Sequence, residues 1–275
     1  VKRTPEGFRR VEAAGAILVV AERFASEVES LDLPSVGGLD RWRASGARVE
    51  GGRARSVRVL LPRSQTSVHL RPLVHGGWLR ALTGRRFLGI ARSLQELAAA
   101  SALCARGVPV PEPVLLLARR RGVFWHVDVG NRFAPGVALE RWLAGAPGSA
   151  SVSRAARSTG RALRRLHDAG GSHADLHLGN LLVDPSDLDA VTIVDLDRSR
   201  LRAEVPAAHR MRELMRLERS LRKHRSPDLA QFFDACLEGY TSGDEGLRAS
   251  LLAHRAREQV RNALHGFARP RGPVR

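Results

Sequence analysis

The stretch His173-Ala174-Asp175-Leu176-His177-Leu178-Gly179-Asn180 and, fifteen positions after its Asn, the Asp195 of Val194-Asp195-Leu196-Asp197 restrict this chain more than any other feature. Two β-branched or apolar runs, Leu181-Leu182-Val183 and Val191-Thr192-Ile193-Val194, flank an Asp184-Pro185-Ser186-Asp187 turn. Such runs around turn residues predict a β-hairpin. A hairpin returns the chain to its start and so carries Asp195 back to Asn180. Three oxygen-bearing side chains, Asp175, Asn180 and Asp195, are thereby expected to meet. Asp and Asn are common in turns because their side chains bond nearby backbone, but two spaced elements with strands between them are much rarer than one Asp-rich loop.

Phosphoryl transfer needs this set: one carboxylate to meet an acceptor hydroxyl, and a carboxamide and second carboxylate to hold Mg²⁺ against nucleotide phosphates. The interval of five from Asp175 to Asn180 matches a kinase catalytic loop. Asp175 is therefore the expected catalytic residue, and Asn180 and Asp195 the expected metal ligands. A zinc site is the chemical competitor, since His173, Asp175 and His177 alternate and would share one face of a strand. Gly179, next to the Asn, argues for a loop instead.

The formal charge of +17 is carried almost entirely by arginine, because the lysines are Lys2 and Lys223 alone. Neither follows a glycine loop in the Gly-Lys-Ser/Thr context, which excludes a Walker-type P-loop. In the first half of the chain only Lys2 could grip nucleotide phosphates as a lysine, so arginine must do that work. Arg71, at the end of an expected strand, and Glu96, in the helix after it, are the candidate cation and carboxylate. Arginine differs from lysine in binding phosphate oxygens with a planar fork. Gly51-Gly52, just before a strand, could bring backbone N–H groups to phosphates. The plain alternatives are a hairpin turn at Gly51-Gly52 and a solvated helix face at Glu96.

A sequence pI near 11.5 is also the electrostatic footprint of a nucleic-acid-binding protein. Aromatics make up only 5% of the chain, with a single Tyr and no zinc-finger or stacking motif, so no specific nucleic-acid partner is expected. Cys104 and Cys236 are too few and too far apart for a disulfide framework and read as buried thiols in a reducing compartment. Ala13 to Ala21 falls far short of the roughly 20 apolar residues that span a bilayer. It reads as a β-strand, and without a convincing cleavage site after it the chain reads as unsecreted.

At 275 residues with 43% apolar content the chain can hold two lobes with a real core. Strands are expected at Ser56 to Leu61, Ser67 to Leu70, Val114 to Ala118 and Val123 to Val129, with a helix from Leu88 to Ala105 ended by Gly107 and Pro109. Past Asn131-Arg132-Phe133-Ala134-Pro135-Gly136 the pattern turns helical, first over Ser153 to Ala169 and again around Met211, Leu214, Met215 and Leu221. The expected class is α+β: a β-rich nucleotide-binding lobe over 1–130 and a mainly helical catalytic and acceptor-binding lobe over 131–275.

The sequence resembles the lipopolysaccharide kinases of Gram-negative bacteria, especially those acting on 3-deoxy-D-manno-octulosonic acid (Kdo), which are distant relatives of protein kinases. The resemblance rests on His173-Ala174-Asp175 with Asn180, on Asp195-Leu196-Asp197-Arg198, on Gly107-Val108-Pro109-Val110-Pro111, on Leu70-Arg71 before Gly76-Gly77, and on Arg216 to Lys223. It covers about residues 50 to 240. It implies a bilobal kinase fold, ATP with Mg²⁺, and transfer of the γ-phosphate to a sugar hydroxyl of the inner core attached to lipid A. It also implies that Asn131, Arg132 and Phe133 meet adenine through their backbone. Arg132 stands where relatives often carry an acidic residue, and Pro72-Leu73-Val74 replaces a more basic stretch. Another small molecule or a protein is the alternative acceptor. An arginine-rich face would hold an anionic acceptor at the cytoplasmic face of the inner membrane, with Trp78 to Leu82 and Arg85-Arg86-Phe87-Leu88 as the interfacial contact. A packed loop with solvated arginines is the alternative there.

Overall fold

In the computed structural model, which describes residues 4–49, 56–74, 84–196, 199–224 and 229–267, the apolar run read as one strand over Ala13 to Ala21 is divided by a turn. Ala14 and Gly15 take φ of 49° and 73°, and β1 (Phe8–Ala13) folds back antiparallel on β2 (Ala16–Ala21). Every residue of β2 is buried, so both faces of the strand are covered. The chain divides into two compact units, Val1–Ala105 with Val110–Ala134, and Arg106–Pro109 with Pro135–Arg275.

The first unit is built on a sheet that adds β3 (Ala47–Arg48), β4 (Val57–Leu60), β5 (Ser67–Pro72), β6 (Pro113–Arg121) and β7 (Phe124–Arg132) to the first hairpin. Its order is β1-β2-β6-β7-β5-β4-β3, with all neighbours antiparallel. Side chains alternate across a strand, and β2 and β6 consequently feed two cores. Leu18, Val20, Leu115 and Leu117 pack with Val28, Leu33, Leu39 and Trp42, which come from α1 (Ala25–Ser30), α2 (Gly38–Ala44) and the link between them. Ile17, Val19, Leu116 and Ala118 pack instead with Leu94 and Leu97 of α3 (Ala91–Ala105). The sheet is thus a middle layer between helices. The short α1 and α2 carry too few turns to show a helical period in sequence. The helix expected from Leu88 begins at Ala91, after Gly89. The strand expected to end at Val129 runs on to Arg132, so Asn131 and Arg132 are ladder residues.

The second unit contains β8 (Val137–Ala138), α4 (Leu139–Ala144), α5 (Ser149–Asp168), β9 (Gly171–Ser172), the hairpin β10 (Leu181–Asp184) and β11 (Asp187–Ile193), β12 (Arg200–Leu201), α6 (Ala207–His224), α7 (Leu229–Thr241) and α8 (Glu245–Phe267). The expected hairpin is present, with β10 also pairing β8. Its turn is set by Asp184, whose Oδ1 accepts the Ser186 N–H at 2.9 Å and the Ser186 hydroxyl at 2.7 Å. The strand β11 is tied to α5 through Asp189, which takes Arg154, Arg161 and Ser158. This mixed α/β architecture, with a large antiparallel sheet and several helices, agrees with the expected class at that level.

The helices α5 and α7 cross at two glycines. A Cβ at Gly160 would lie 2.0 Å from the Cys236 carbonyl oxygen, and one at Gly239 would lie 2.1 Å from that of Arg157. Burial in this crossing pushes the Cys236 thiol up to about 12, which leaves it inert. An alanine at Gly160 gains about 1 kcal/mol in helix propensity but forces two backbones apart, an overpacking that costs about 1–3 kcal/mol. We expect Gly160→Ala to lower the urea midpoint without changing the denaturant slope, and an unchanged or raised midpoint would contradict the close crossing.

Candidate active site

Helix α5 ends with the Ala169 N–H on the Arg165 carbonyl, and Gly170 then turns the chain with φ of 79°. A Cβ on Gly170 would lie 2.1 Å from the Arg202 carbonyl oxygen, so the turn into β9 needs glycine for two reasons. The strand β9 pairs β12, and the next residue is the fully buried His173.

The imidazole of His173 joins the loop to the far end of the hairpin. Its Nε2 is 3.0 Å from the Val194 carbonyl oxygen, and its Nδ1 is 3.2 Å from the Asp175 backbone nitrogen. The carbonyl can only accept and the amide can only donate, which assigns the neutral tautomer with the proton on Nε2. With both nitrogens engaged and the ring buried, His173 does not join His177 and Asp175 as a zinc ligand. Among the described residues no group of three or more His, Cys, Asp or Glu side chains is placed to hold a metal ion.

Beyond His173 the Asp175 carboxylate points outward, 75% exposed, with His177 Nε2 3.9 Å away. Leu176 and Leu178 are buried and anchor the loop from below. His177 caps a 3-10 turn (Leu178–Asn180) by accepting the Gly179 N–H at Nδ1, 3.1 Å away. Asn180 donates from Nδ2 to the Asp175 carbonyl at 2.9 Å, and its own carbonyl accepts the Val194 N–H at 2.9 Å. The side-chain oxygen of Asn180 is thereby the acceptor end of an amide whose orientation is set. Asp195 follows immediately, exposed, with φ of 60°. A left-handed backbone is strained for a residue other than glycine, and strain of this kind collects at functional sites. The second unit therefore brings Asp175, Asn180 and Asp195 onto one loop and one strand end.

The remaining expected residues belong to the first unit. Arg71 is half-buried on β5, opposite Val129. Glu96 is on α3, where it accepts Arg92 Nε at 3.0 Å. Asn131 pairs His69 and Pro113, the Arg132 N–H bonds the Glu112 carbonyl at 2.7 Å, and the Phe133 N–H bonds the Ser67 carbonyl at 2.7 Å. These two amides are committed to the sheet, and the Phe133 ring lies under the Arg58 guanidinium at 4.4 Å. Arg132, at the end of β7, stands 4.0 Å from Glu112. Gly51, Gly52, Gly76-Gly77, Trp78 to Leu82 and Asp197-Arg198 lie outside the described residues.

Sequence reasoning missed the residue that holds the loop. Glu213, on α6 and 1% exposed, accepts the His173 backbone N–H at 2.9 Å and faces His167 Nε2 at 3.0 Å. One turn on, Arg216 donates to the His173 carbonyl at 3.3 Å. His167 in turn meets the Tyr240 hydroxyl at 2.7 Å through Nδ1. Burial raises the pKa of Tyr240, which keeps the phenol protonated as donor to Nδ1, with Nε2–H donating to Glu213. His209 Nε2 stands 3.1 Å from Glu213 Oε1, close enough to feel its charge but not aligned for a hydrogen bond. The signal in sequence was faint: Glu213 lies one turn before the apolar Leu217, inside a helix recognised by the spacing of its apolar residues.

Burial by itself would raise the Glu213 pKa, but the hydrogen bond from His167, then the His173 amide and the neighbouring His209, outweigh it and hold the carboxyl below its ordinary value. A carboxyl depressed in the folded state contributes stability that is present above its unfolded pKa and lost as pH falls through the folded one. His209 is depressed chiefly by burial, so it too loses stability on acidification, beginning near its unfolded value of 6.5. Glu213→Gln should lower stability at pH 7 by about 1–3 kcal/mol and flatten the acid limb below pH 4.5. Urea titrations of both proteins across pH 3–7, about the ordinary span of these groups, check this. An acid limb as steep in the variant as in the parent would remove Glu213 from that role.

The match to the family model described as lipopolysaccharide kinase (Kdo/WaaP) covers residues 40–240. Over 223 residues the chain is 33% identical to a 3-deoxy-D-manno-octulosonic acid kinase of Xanthomonas euvesicatoria pv. vesicatoria, covering 79% of this chain and 84% of that protein. It is 31% identical over 223 residues to the protein of the same name from Stenotrophomonas maltophilia, with the same coverage. A third of that name, from Vibrio cholerae, is 27% identical over 187 residues, 66% of this chain and 77% of that one. With its histidine-anchored Asp175 loop and returning hairpin inside the matched span, the chain belongs to the lipopolysaccharide kinase (Kdo/WaaP) family.

Proposed function

We propose that this chain transfers the γ-phosphate of ATP to a hydroxyl of Kdo in the inner core of lipopolysaccharide. Family membership and relatives named 3-deoxy-D-manno-octulosonic acid kinase over most of the chain support this reading. The observation that carries the chemistry is the outward Asp175 carboxylate, on a loop whose backbone is fastened on both sides by His173 and Asn180. Asp175 orients the acceptor hydroxyl and takes its proton as the new bond from that oxygen to the γ-phosphorus forms and the bond from the γ-phosphorus to the β,γ-bridging oxygen breaks, with ADP as the leaving group.

Asn180 Oδ1 and the Asp195 carboxylate are oxygen donors adjacent in the chain fold, a set that suits Mg²⁺. Bound there, the metal would neutralise charge on the phosphate oxygens. Arg71, with Glu96 as its carboxylate partner, takes the phosphate-gripping role of the absent lysine, and Gly51 and Gly52 cover the phosphates. Asn131, Arg132 and Phe133 form the edge that faces adenine. In this reading residues 1–130 serve as the nucleotide-binding lobe and 131–275 as the catalytic and acceptor-binding lobe of a bilobal kinase fold, working at the cytoplasmic face of the inner membrane. The rival reading as a nucleic-acid-binding protein rests on charge alone.

Labelled phosphate transfer from Mg-ATP to Kdo-lipid A tests the proposal. Asp175→Asn should slow transfer by about 10²–10⁴-fold with nucleotide affinity retained, whereas Asn180→Ala should raise the Mg²⁺ concentration needed for half-maximal rate. Nucleotide binding without transfer to Kdo-lipid A would reject this acceptor and point to another small molecule or a protein.

A further inference from the structure

The tip of the β6–β7 hairpin gathers charge and exposed apolar surface that the phosphotransfer reading does not use. Arg120, Arg121 and Val123 are exposed there, Val123 to 70%. The segment before α3 is pinned against the same hairpin, because Phe87 and Trp125 exchange backbone hydrogen bonds at 3.0 and 2.7 Å. That pairing sets Leu88, 83% exposed, and Arg86 beside the tip, with the Arg86 guanidinium 6.0 Å from the Phe124 ring centroid. Arg86, Arg121, Val123, Phe124 and His126 border an open hollow of about 490 Å³.

Arg120 donates from Nε to the Gly122 carbonyl of the tip itself at 3.1 Å, and carboxylates described nearby are engaged by other arginines. Asp128 has no solvent exposure and already takes Arg43 at 2.6 Å, Arg85 at 2.9 Å and Arg119 at 3.6 Å. On the neighbouring β1–β2 hairpin, Glu12 takes Arg10 at 2.7 Å. His126 is depressed by burial first and then by Arg85 and Arg121, against the opposing pull of Asp128, as a net positive field requires. Exposed apolar side chains ringed by arginine are what a lipid interface stabilises: the apolar groups leave water and the guanidinium groups meet phosphate. Among the described residues no helix is long and apolar enough to cross a membrane.

We propose that the β6–β7 tip and the facing Arg86–Leu88 segment form a docking surface for an anionic bilayer, with Val123 and Leu88 entering the headgroup layer and Arg120 and Arg121 on lipid phosphate. It rests on the reading above in that a glycolipid acceptor requires the protein to reach a membrane. These residues lie outside the proposed catalytic machinery, so the two can fail separately.

The test is flotation of the full chain with phosphatidylglycerol-containing vesicles and with phosphatidylcholine vesicles at physiological salt. Arg120→Ser/Arg121→Ser should weaken partitioning to the anionic vesicles by about fivefold for each arginine removed, and Val123→Asp should weaken it too. Arg212→Ser/Arg257→Ser, which removes the same charge from exposed positions on α6 and α8, should change it little. Thermal unfolding and transfer to detergent-solubilised Kdo-lipid A should be retained in all variants. Failure of the parent chain to float, tip variants that float like it, or an equal loss in the Arg212/Arg257 pair would each overturn the proposal. Displacement by soluble glycerophosphate would reduce the surface to a free-phosphate site. Binding to a DNA duplex that depends on Arg120 and Arg121 when vesicle binding does not would assign it to nucleic acid.

Discussion

An ionised carboxylate with 1% of its surface exposed is tolerable only if its environment replaces the water it has lost. Glu213 meets that condition through His167, the His173 amide and the nearby His209 ring, and the solution fixes much of the second unit. Through His167 it reaches Tyr240, which joins α5, α6 and α7 in one polar chain. By way of the His173 backbone it reaches the loop, and through the His173 ring the Asp175 amide and the Val194 carbonyl. A single buried charge thus sets where the loop begins and where the returning strand ends. Low local dielectric strengthens each of these bonds and makes the loss of any one of them expensive.

Rigidity at the base contrasts with exposure at the tip. His173, Leu176, Leu178 and Asn180 are buried, whereas the Asp175 side chain is 75% exposed. Such a division suits a group that must meet a substrate in a fixed direction: reactive atoms face solvent, and their backbone is held by atoms that do not. Asp195 adds a left-handed backbone that no glycine relieves. The charge of the chain divides in a similar way. Arginines are paired with the chain's own carboxylates, Asp128, Asp189 and Glu218 among others, and Arg120 and Arg121 stand exposed at the β6–β7 tip.

Patterns of sequence short in range were legible. The Leu181–Val183 and Val191–Val194 runs with an Asx turn between them specify a hairpin through local chemistry, and that hairpin is present. The apolar run ending at Ala21 was read as a strand, but its interior turn was hidden, because Ala14 adopts a positive φ that its identity does not announce. Helices α1 and α2 were missed because they span six and seven residues, too short for a period to emerge. The zinc alternative could be stated from the alternation of His173, Asp175 and His177, but only the burial of His173 and its two partners decides against it.

By itself the sequence determined the identities and spacing of Asp175, Asn180 and Asp195, the hairpin between them and the poverty in lysine, because each depends on residue type or on neighbours within a few positions. Tertiary structure alone decided that Glu213 is buried on the His173 amide, that Gly160 and Gly239 let two helices meet at backbone distance, and that Phe87 pairs with Trp125. These are contacts between segments far apart in the chain, and their energies come from dehydration and close packing, which exist only once the partners have been brought together.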